Sequence, residues 1–281
     1  MQNVVIAGVG LIGASFGLAL RKAGFKGSIL GVSSPGAIRD ALSVGAIDAG
    51  SPLEEAVPGA DLVYLAQPIR RILSTLAQLD PLLKPGALVT DAGSTKAAMV
   101  AKARQHIQRA QFLGGHPLAG KEVRGASAAD ADLFRGCTYV VTPGGPAELE
   151  TPAAVEFLHW VERIGGRPVS LAPEVHDRIV AYTSHLPQLA STALAALLSR
   201  ELHSSEEARV SGPGLRDATR LALSSYEIWG DILDTNTASI DQALAAYIKL
   251  LEEFRARLAS GTLEADFKAA ASLAARVRNT S

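Results

Sequence analysis

Along the first part of the chain, apolar residues come in short runs separated by glycine-containing turns and by stretches of helical periodicity. Val4 to Ala7 is one such run; it ends at Gly8, and a helical pattern follows from Leu11 to Ala23, stopped by Gly24 as a C-cap. Ser28 to Val32, Leu62 to Ala66, Ala87 to Asp91, Phe112 to Gly114 and Tyr139 to Thr142 predict further buried strands. Most are separated by helical segments such as Ala37 to Val44 and Thr95 to Ile107. This alternation predicts an α/β fold with a doubly wound, mainly parallel sheet, finished by a helix over Ala153 to Ile164 and a strand over Arg167 to Leu171.

Strand signals then cease. Glu174 to Leu198, Glu206 to Val210, Arg216 to Ser224, Tyr226 to Leu233 and Thr237 to Leu258 all carry helical periodicity in an Ala- and Leu-rich background. The expected organisation is therefore a ligand-binding domain over 1–171 and an all-α domain over 172–281. Small residues at Ala190, Ser191, Ala193, Ala195 and Ala196 permit close helix approach, either inside that domain or across a subunit interface. A helical domain of this size buries more apolar surface by pairing with a second copy, so a homodimer through the helical domain is expected.

Composition narrows the function classes. Of 281 residues 48% are apolar, enough for a substantial core, and 27 basic against 28 acidic residues give no charge bias toward nucleic acid or an anionic membrane. A small anionic ligand needs only one or two local cations. Cys137 is the single cysteine, which excludes an intrachain disulfide and a multi-cysteine metal site; no metal is expected. No apolar stretch is long enough to span a bilayer and no leader precedes Val4, so a cytoplasmic protein is expected.

Gly8, Gly10 and Gly13 form G-x-G-x-x-G directly after a strand and at the start of a helix. Gly8 suits the tight turn, Gly10 lets the backbone approach a pyrophosphate, Gly13 allows close helix–strand packing, and the helix N-terminus attracts the phosphate charge. Leu11 and Ile12 in the turn, Gln67 and Pro68 after the third long strand, and Asp91 and Gly93 after the fourth complete the expected dinucleotide crevice. An Asp or Glu at the end of the second strand would bind a ribose diol and repel a 2′-phosphate. Ser33 and Ser34 stand there instead, with Arg39 nearby to supply positive charge, so NADP is favoured over NAD; the alternative has Arg39 in solvent and either cofactor accepted.

Two stretches then carry candidate chemistry at the C-terminal ends of strands, where open parallel sheets place their ligands. In Asp91-Ala92-Gly93-Ser94-Thr95-Lys96, Ser94 either caps the next helix or faces the crevice, and Lys96 is either a solvated first-turn residue or a site cation. His116 follows Gly114-Gly115, with Pro117 and Gly120 making a rigid turn beyond it. Histidine has the pKa range to accept an alcohol proton during hydride transfer. His106, His159, His176 and His203 have no comparable setting; His176 is read as structural, although its place near a helix start could bring it toward the crevice.

GVGLIGAS, DAGSTK, GGHPLAGKE, TSHLPQ and GLRDATRLA occur in this order and at a spacing that resembles the prephenate/arogenate dehydrogenases of tyrosine biosynthesis. The resemblance covers essentially the whole chain. It implies a Rossmann domain, a helical dimerisation domain, and NAD(P)-dependent oxidative decarboxylation of prephenate or L-arogenate. It assigns His116 as acceptor of the ring-hydroxyl proton and Ser94 as its hydrogen-bonding partner; Lys96 joins this catalytic set on its position beside Ser94 at the crevice edge, not on the resemblance. His185 would contact the substrate from the helical domain and Arg220 would pair with a substrate carboxylate. Asp217 and Trp229 would line the site, Gly212 or Gly214 would stand in the adjoining loop, and Gly120 and Glu122 would lie near the pocket mouth, with the active site in the cleft between domains. The chain departs from the commonest family pattern at Gln188, where a second histidine is frequent, and at Leu215 and Gln67. Two other readings compete: a 3-hydroxy acid or 6-phosphogluconate-like dehydrogenase, which depends on a lysine in the helical domain, and a non-catalytic NADP sensor, which needs no proton acceptor.

Overall fold

The structure, a computed structural model, describes residues 1–279. Its sheet has eight strands: β1 (Asn3–Ala7), β2 (Ser28–Val32), β3 (Ala49–Gly50), β4 (Leu62–Leu65), β5 (Leu88–Asp91), β6 (Gln111–Pro117), β7 (Thr138–Thr142) and β8 (Arg167–Ser170). They lie in the order β3-β2-β1-β4-β5-β6-β7-β8. Helices α1 (Leu11–Lys22), α2 (Pro35–Ser43), α3 (Leu53–Ala56), α4 (Ile69–Leu79), α5 (Ala97–His106) and α6 (Pro152–Arg163) occur along the same stretch. The order runs outward from β1 in both directions, as a doubly wound sheet requires.

Local chemistry accounts for the elements. Val4 to Ala7 of β1 and all of β4 are buried on both faces, which is why they read as near-continuous apolar runs. α1 ends where Gly24, at φ +92°, lets its N–H and that of Phe25 turn back onto the carbonyls of Arg21 and Leu20. Phe16 of α1 stacks on Tyr64 of β4, ring centroids 4.0 Å apart, and joins helix to sheet in the core.

The register builds the ligand edge. Ala7 pairs with Val32 and with Leu65, and Leu65 pairs with Asp91, so the four central strands end level. β6 does not stop there. Its pairing with β5 ends at Leu113, and Gly114 to Pro117 continue past the edge, held by antiparallel pairing to β7. The connection from β6 to β7 contains only a short helical turn, Ala126–Ala128, and without a crossover helix the chain returns antiparallel. This one reversal is why the sheet is mainly rather than wholly parallel.

The chain then forms α7 (Pro173–Val180), a π turn (Ala181–His185), α8 (Leu186–Glu201), α9 (Ser205–Arg209), α10 (Pro213–Thr219), a short helical turn (Arg220–Leu223), α11 (Tyr226–Thr235), α12 (Thr237–Arg257) and α13 (Glu264–Asn279). The single helix expected from Glu174 to Leu198 is interrupted. Pro187 has no N–H for the carbonyl four residues back, and the backbone widens there into the π turn.

Contacts divide the chain into two compact units, the first comprising Met1–Asp177 with Tyr226–Thr235, the second Arg178–Ser225 and the chain from Asn236 onward. By contacts the first unit extends past the last strand, which ends at Ser170, into α7, and α11, expected among the helices of the second half, groups with the sheet unit. Arg70, at the start of α4, holds it: its backbone N–H donates to Asp231 at 3.0 Å and its guanidinium pairs with Asp231 and Asp234. Thr95 and Thr235 hydroxyls also meet at 2.8 Å. Among the described residues no helix is long and apolar enough to cross a membrane.

Candidate active site

The three glycines of the fingerprint each face a different constraint. Gly8 sits at φ +93°, and a side chain there would press on the Ala66 carbonyl. A Cβ on Gly13 would come within 2.0 Å of the Gly8 carbonyl, so helix and turn could not approach. Gly10 has open space above it, and as N-cap of α1 it offers no side chain to the first N–H groups of that helix. An uncapped helix start beneath an open glycine fits a pyrophosphate.

Two hollows flank this turn. The larger, about 530 Å³, is lined by Gly10, Leu11 and Ile12, by Gln67, Pro68 and Ile69, by Gly93 and Ser94, by Ala119 to Lys121 and Val123 to Gly125, and by Glu227, Ile228, Asp231 and Ile232 of α11. Such a volume suits a nicotinamide ring with a small acid beside it. The smaller, about 420 Å³, is lined by Gly8, Gly10, Ser33, Ser34, Gln67, Pro68 and Arg71 among others. Ser33 and Ser34 thus lie where the adenosine ribose is expected, but the cation with them is Arg71. Arg39 is exposed on α2 and off this lining. Among the described residues no carboxylate lines the smaller hollow.

Ser94 is half-buried on the wall of the larger cleft, and it does not cap α5. That task falls to Asp177 from α7, whose Oδ1 accepts from Lys96 N at 2.7 Å and whose Oδ2 accepts from Ala97 N at 2.9 Å. Lys96 and Asp91, expected at the crevice, are instead wholly buried behind it. The Lys96 ammonium pairs with the Asp91 carboxylate and donates to the Gly115 carbonyl at 2.7 Å, while Asp91 accepts from Gly93 N at 2.9 Å and Gly115 N at 3.1 Å. Burial pushes the Lys96 pKa down, against the attraction of Asp91. Their work is to lock the end of β5 to the extension of β6 that carries His116. A Cβ on Gly115 would lie 2.5 Å from the Asp91 carbonyl, so only glycine permits this approach.

His116 is half-buried beyond the edge of β5, and its Nδ1 lies 2.8 Å from His176 Nε2. His176 Nδ1 in turn lies 2.8 Å from Asp177 Oδ1. Both partners are buried, with 1% and 2% of their surfaces exposed. His176, expected from the sequence to be structural, thus touches the candidate base, and Asp177 stands behind it. The adjacent His-Asp pair at the start of a helix was the signal available.

Other expected residues fall elsewhere. Gly120 lines the cleft, whereas Glu122 is exposed and off its lining, where Lys121, Arg124 and Glu227 stand instead. Trp229 is half-buried on α11 but lies off the face formed by Glu227, Ile228, Asp231 and Ile232. In the second unit His185 is buried at the end of the π turn, its Nδ1 3.3 Å from Asn236 Nδ2. Gly212, Gly214 and Asp217 are exposed at α10. Arg220 is exposed at the head of its turn, which Gln188 holds by donating to the Leu221 carbonyl at 2.8 Å while Ala222 N donates to Ser191 Oγ at 3.2 Å.

Comparison with known proteins adds an independent line. Residues 16–169 match the family model described as prephenate dehydrogenase, nucleotide-binding domain, and residues 172–271 match that described as prephenate dehydrogenase, dimerization domain. A cyclohexadienyl dehydrogenase of Zymomonas mobilis is 32% identical over 267 residues, spanning 92% of this chain and 89% of its own. The crystal structure of prephenate dehydrogenase from A. aeolicus, in complex with hydroxyphenyl propionate and NAD+, superposes with a TM-score of 0.87 at 30% identity, covering 100% of this chain and 99% of that one. Synechocystis arogenate dehydrogenase does so with a TM-score of 0.80 at 28% identity, covering 99% of each.

Proposed function

The chain belongs to the prephenate dehydrogenase family, and from that membership we propose that it oxidatively decarboxylates prephenate or L-arogenate, with NADP preferred over NAD, to 4-hydroxyphenylpyruvate or L-tyrosine. It is an oxidoreductase with a nicotinamide-dinucleotide fold; neither the 3-hydroxy acid reading nor the sensor reading gains support. The observation that carries the proposal is His116, projected past the level ends of the central strands and fixed there by buried partners.

Gly10 and the first N–H groups of α1 would hold the dinucleotide, which when bound would supply the hydride acceptor. The ring carbon bearing the hydroxyl gives up its hydrogen with both bonding electrons only as O–H becomes C=O, so the proton needs an acceptor near neutral pKa. His116 takes that role, with the Ser94 hydroxyl orienting the same oxygen. Loss of the ring carboxylate as CO2 then sends its bonding electrons through the ring onto the carbonyl oxygen; the ring aromatises, and the phenolate oxygen takes the proton back from His116 to give the phenol. We assign Arg220 to a carboxylate of the dianionic substrate and His185 to its orientation, because a guanidinium fork matches a carboxylate better than an ammonium. Lys96 and Asp91 act as positioning residues for His116, without substrate contact.

For the cofactor, the two serines and Arg71 around a hollow without carboxylates support a 2′-phosphate. The test is the initial rate of nicotinamide reduction with each substrate crossed with each cofactor. Turnover with at least one of the two substrates is expected, faster with NADP, and Arg71→Ala should raise the KM for NADP roughly tenfold or more while leaving that for NAD nearly unchanged. No reduction with either substrate contradicts the function. An equal effect of Arg71→Ala on both cofactors contradicts the cofactor assignment.

A further inference from the structure

We propose that His176 and Asp177 form with His116 a buried relay that fixes which nitrogen of His116 receives the substrate's proton and takes up the charge afterwards. The proposal deepens the reading of His116 as the base and rests on it.

Hydrogen-bond chemistry gives the chain a direction. Asp177 accepts the N–H groups of Lys96 and Ala97 at the start of α5, one through each carboxylate oxygen, where the helix end favours a negative charge. A carboxylate only accepts; the 2.8 Å contact with His176 Nδ1 is therefore an N–H donating to Asp177 Oδ1. With its proton on Nδ1, neutral His176 carries its lone pair on Nε2. The 2.8 Å contact with His116 is then His116 Nδ1–H donating to His176 Nε2, which puts the His116 lone pair on Nε2. One carboxylate thus sets two tautomers in series.

The same chain can carry charge. When His116 Nε2 gains the substrate's proton, the Nδ1–H bond of His116 can break as an Nε2–H bond forms on His176. His116 is then neutral, and the single positive charge sits on His176 against Asp177. No other bond changes and no further reactant is needed. Burial of both partners keeps water from competing for these contacts. The nearby ammonium of Lys96 is hydrogen-bonded to Asp91 and to the carbonyl before His116, and its charge also attracts that of Asp177 at the far end of the chain.

His176 and Asp177 are positioning residues, and three variants separate their parts. His176→Leu removes the acceptor; it should lower kcat roughly a hundredfold or more with little change in KM, and move the acid limb of the kcat profile to lower pH because the protonated base loses its counter-charge. His176→Gln keeps a carbonyl that can accept the His116 proton but cannot take up charge, so kcat should recover in part while the limb stays displaced. Asp177→Asn should resemble His176→Leu; because it also weakens the cap of α5, its thermal melting is followed alongside, and the histidine variants leave that cap intact. Nitrogen NMR of the histidine-labelled protein without substrate should find the His116 proton on Nδ1 in the wild type and shared between the two nitrogens in His176→Leu. Wild-type kcat and an unmoved acid limb in His176→Leu, or a wild-type His116 protonated on Nε2, overturns the relay. A wild-type enzyme inactive on both cyclohexadienes overturns the function instead, and the NMR result still decides the relay.

Discussion

Lys96 stands two positions after Ser94 in a stretch that reads as a hydroxyl and an ammonium side by side at the crevice edge. Only the hydroxyl is there. The turn after β5 sends Ser94 outward and folds Lys96 back under the sheet, where Asp91 and the Gly115 carbonyl take its charge. Nothing in residue type or spacing separates these outcomes; they depend on Asp177 arriving from α7 to cap α5 in place of Ser94. A buried ion pair broken on one side leaves an uncompensated charge, which costs about 3–5 kcal/mol. Lys96→Met should therefore lower the unfolding free energy in urea by that order, and adding Asp91→Asn should restore a good part of it, because the stranded carboxylate is gone. Equal stability of Lys96→Met and wild type, or simple additivity of the two changes, would argue against the pair as the tie between β5 and β6.

Strands and helices of the first half are legible because their signals are local: apolar runs, a fingerprint turn, glycine at φ +92° after α1. What the sequence does not disclose is pairing. The antiparallel turn from β6 to β7 follows from a missing crossover helix, and it is this pairing that carries His116 past the strand ends. Pattern alone likewise places α11 with its helical neighbours, whereas the Arg70 ion pairs and the Thr95–Thr235 contact join it to the sheet unit. Arg71 is hidden from a sequence pattern for a related reason. Arg39 is nearer to Ser33 in sequence, but the first turn of α4 faces the serines across the sheet edge. His176 and Asp177 lie about 60 residues beyond His116, so no spacing rule links them to it.

For the whole molecule, the second unit leaves much apolar surface uncovered. Of α12 only Ile240 and Ala243 are buried, while Ile248, Leu250 and Leu251 are exposed, as are Phe267, Leu273 and Val277 of α13. Ala193 and Ala196, whose small size suits either a core or an interface, are also exposed. Apolar surface on this scale marks an association site, and all of it but Leu273 and Val277 lies within the part matching the dimerization-domain model. Light scattering at micromolar concentration should give the mass of two chains; the mass of one would contradict a homodimer. The central claim, that this molecule brings a nicotinamide cofactor and a cyclohexadiene acid to one histidine base, is tested most directly by the turnover number of His116→Asn. A fall of roughly two to four powers of ten, with cofactor affinity almost unchanged, is the predicted result, and turnover close to wild type would contradict it.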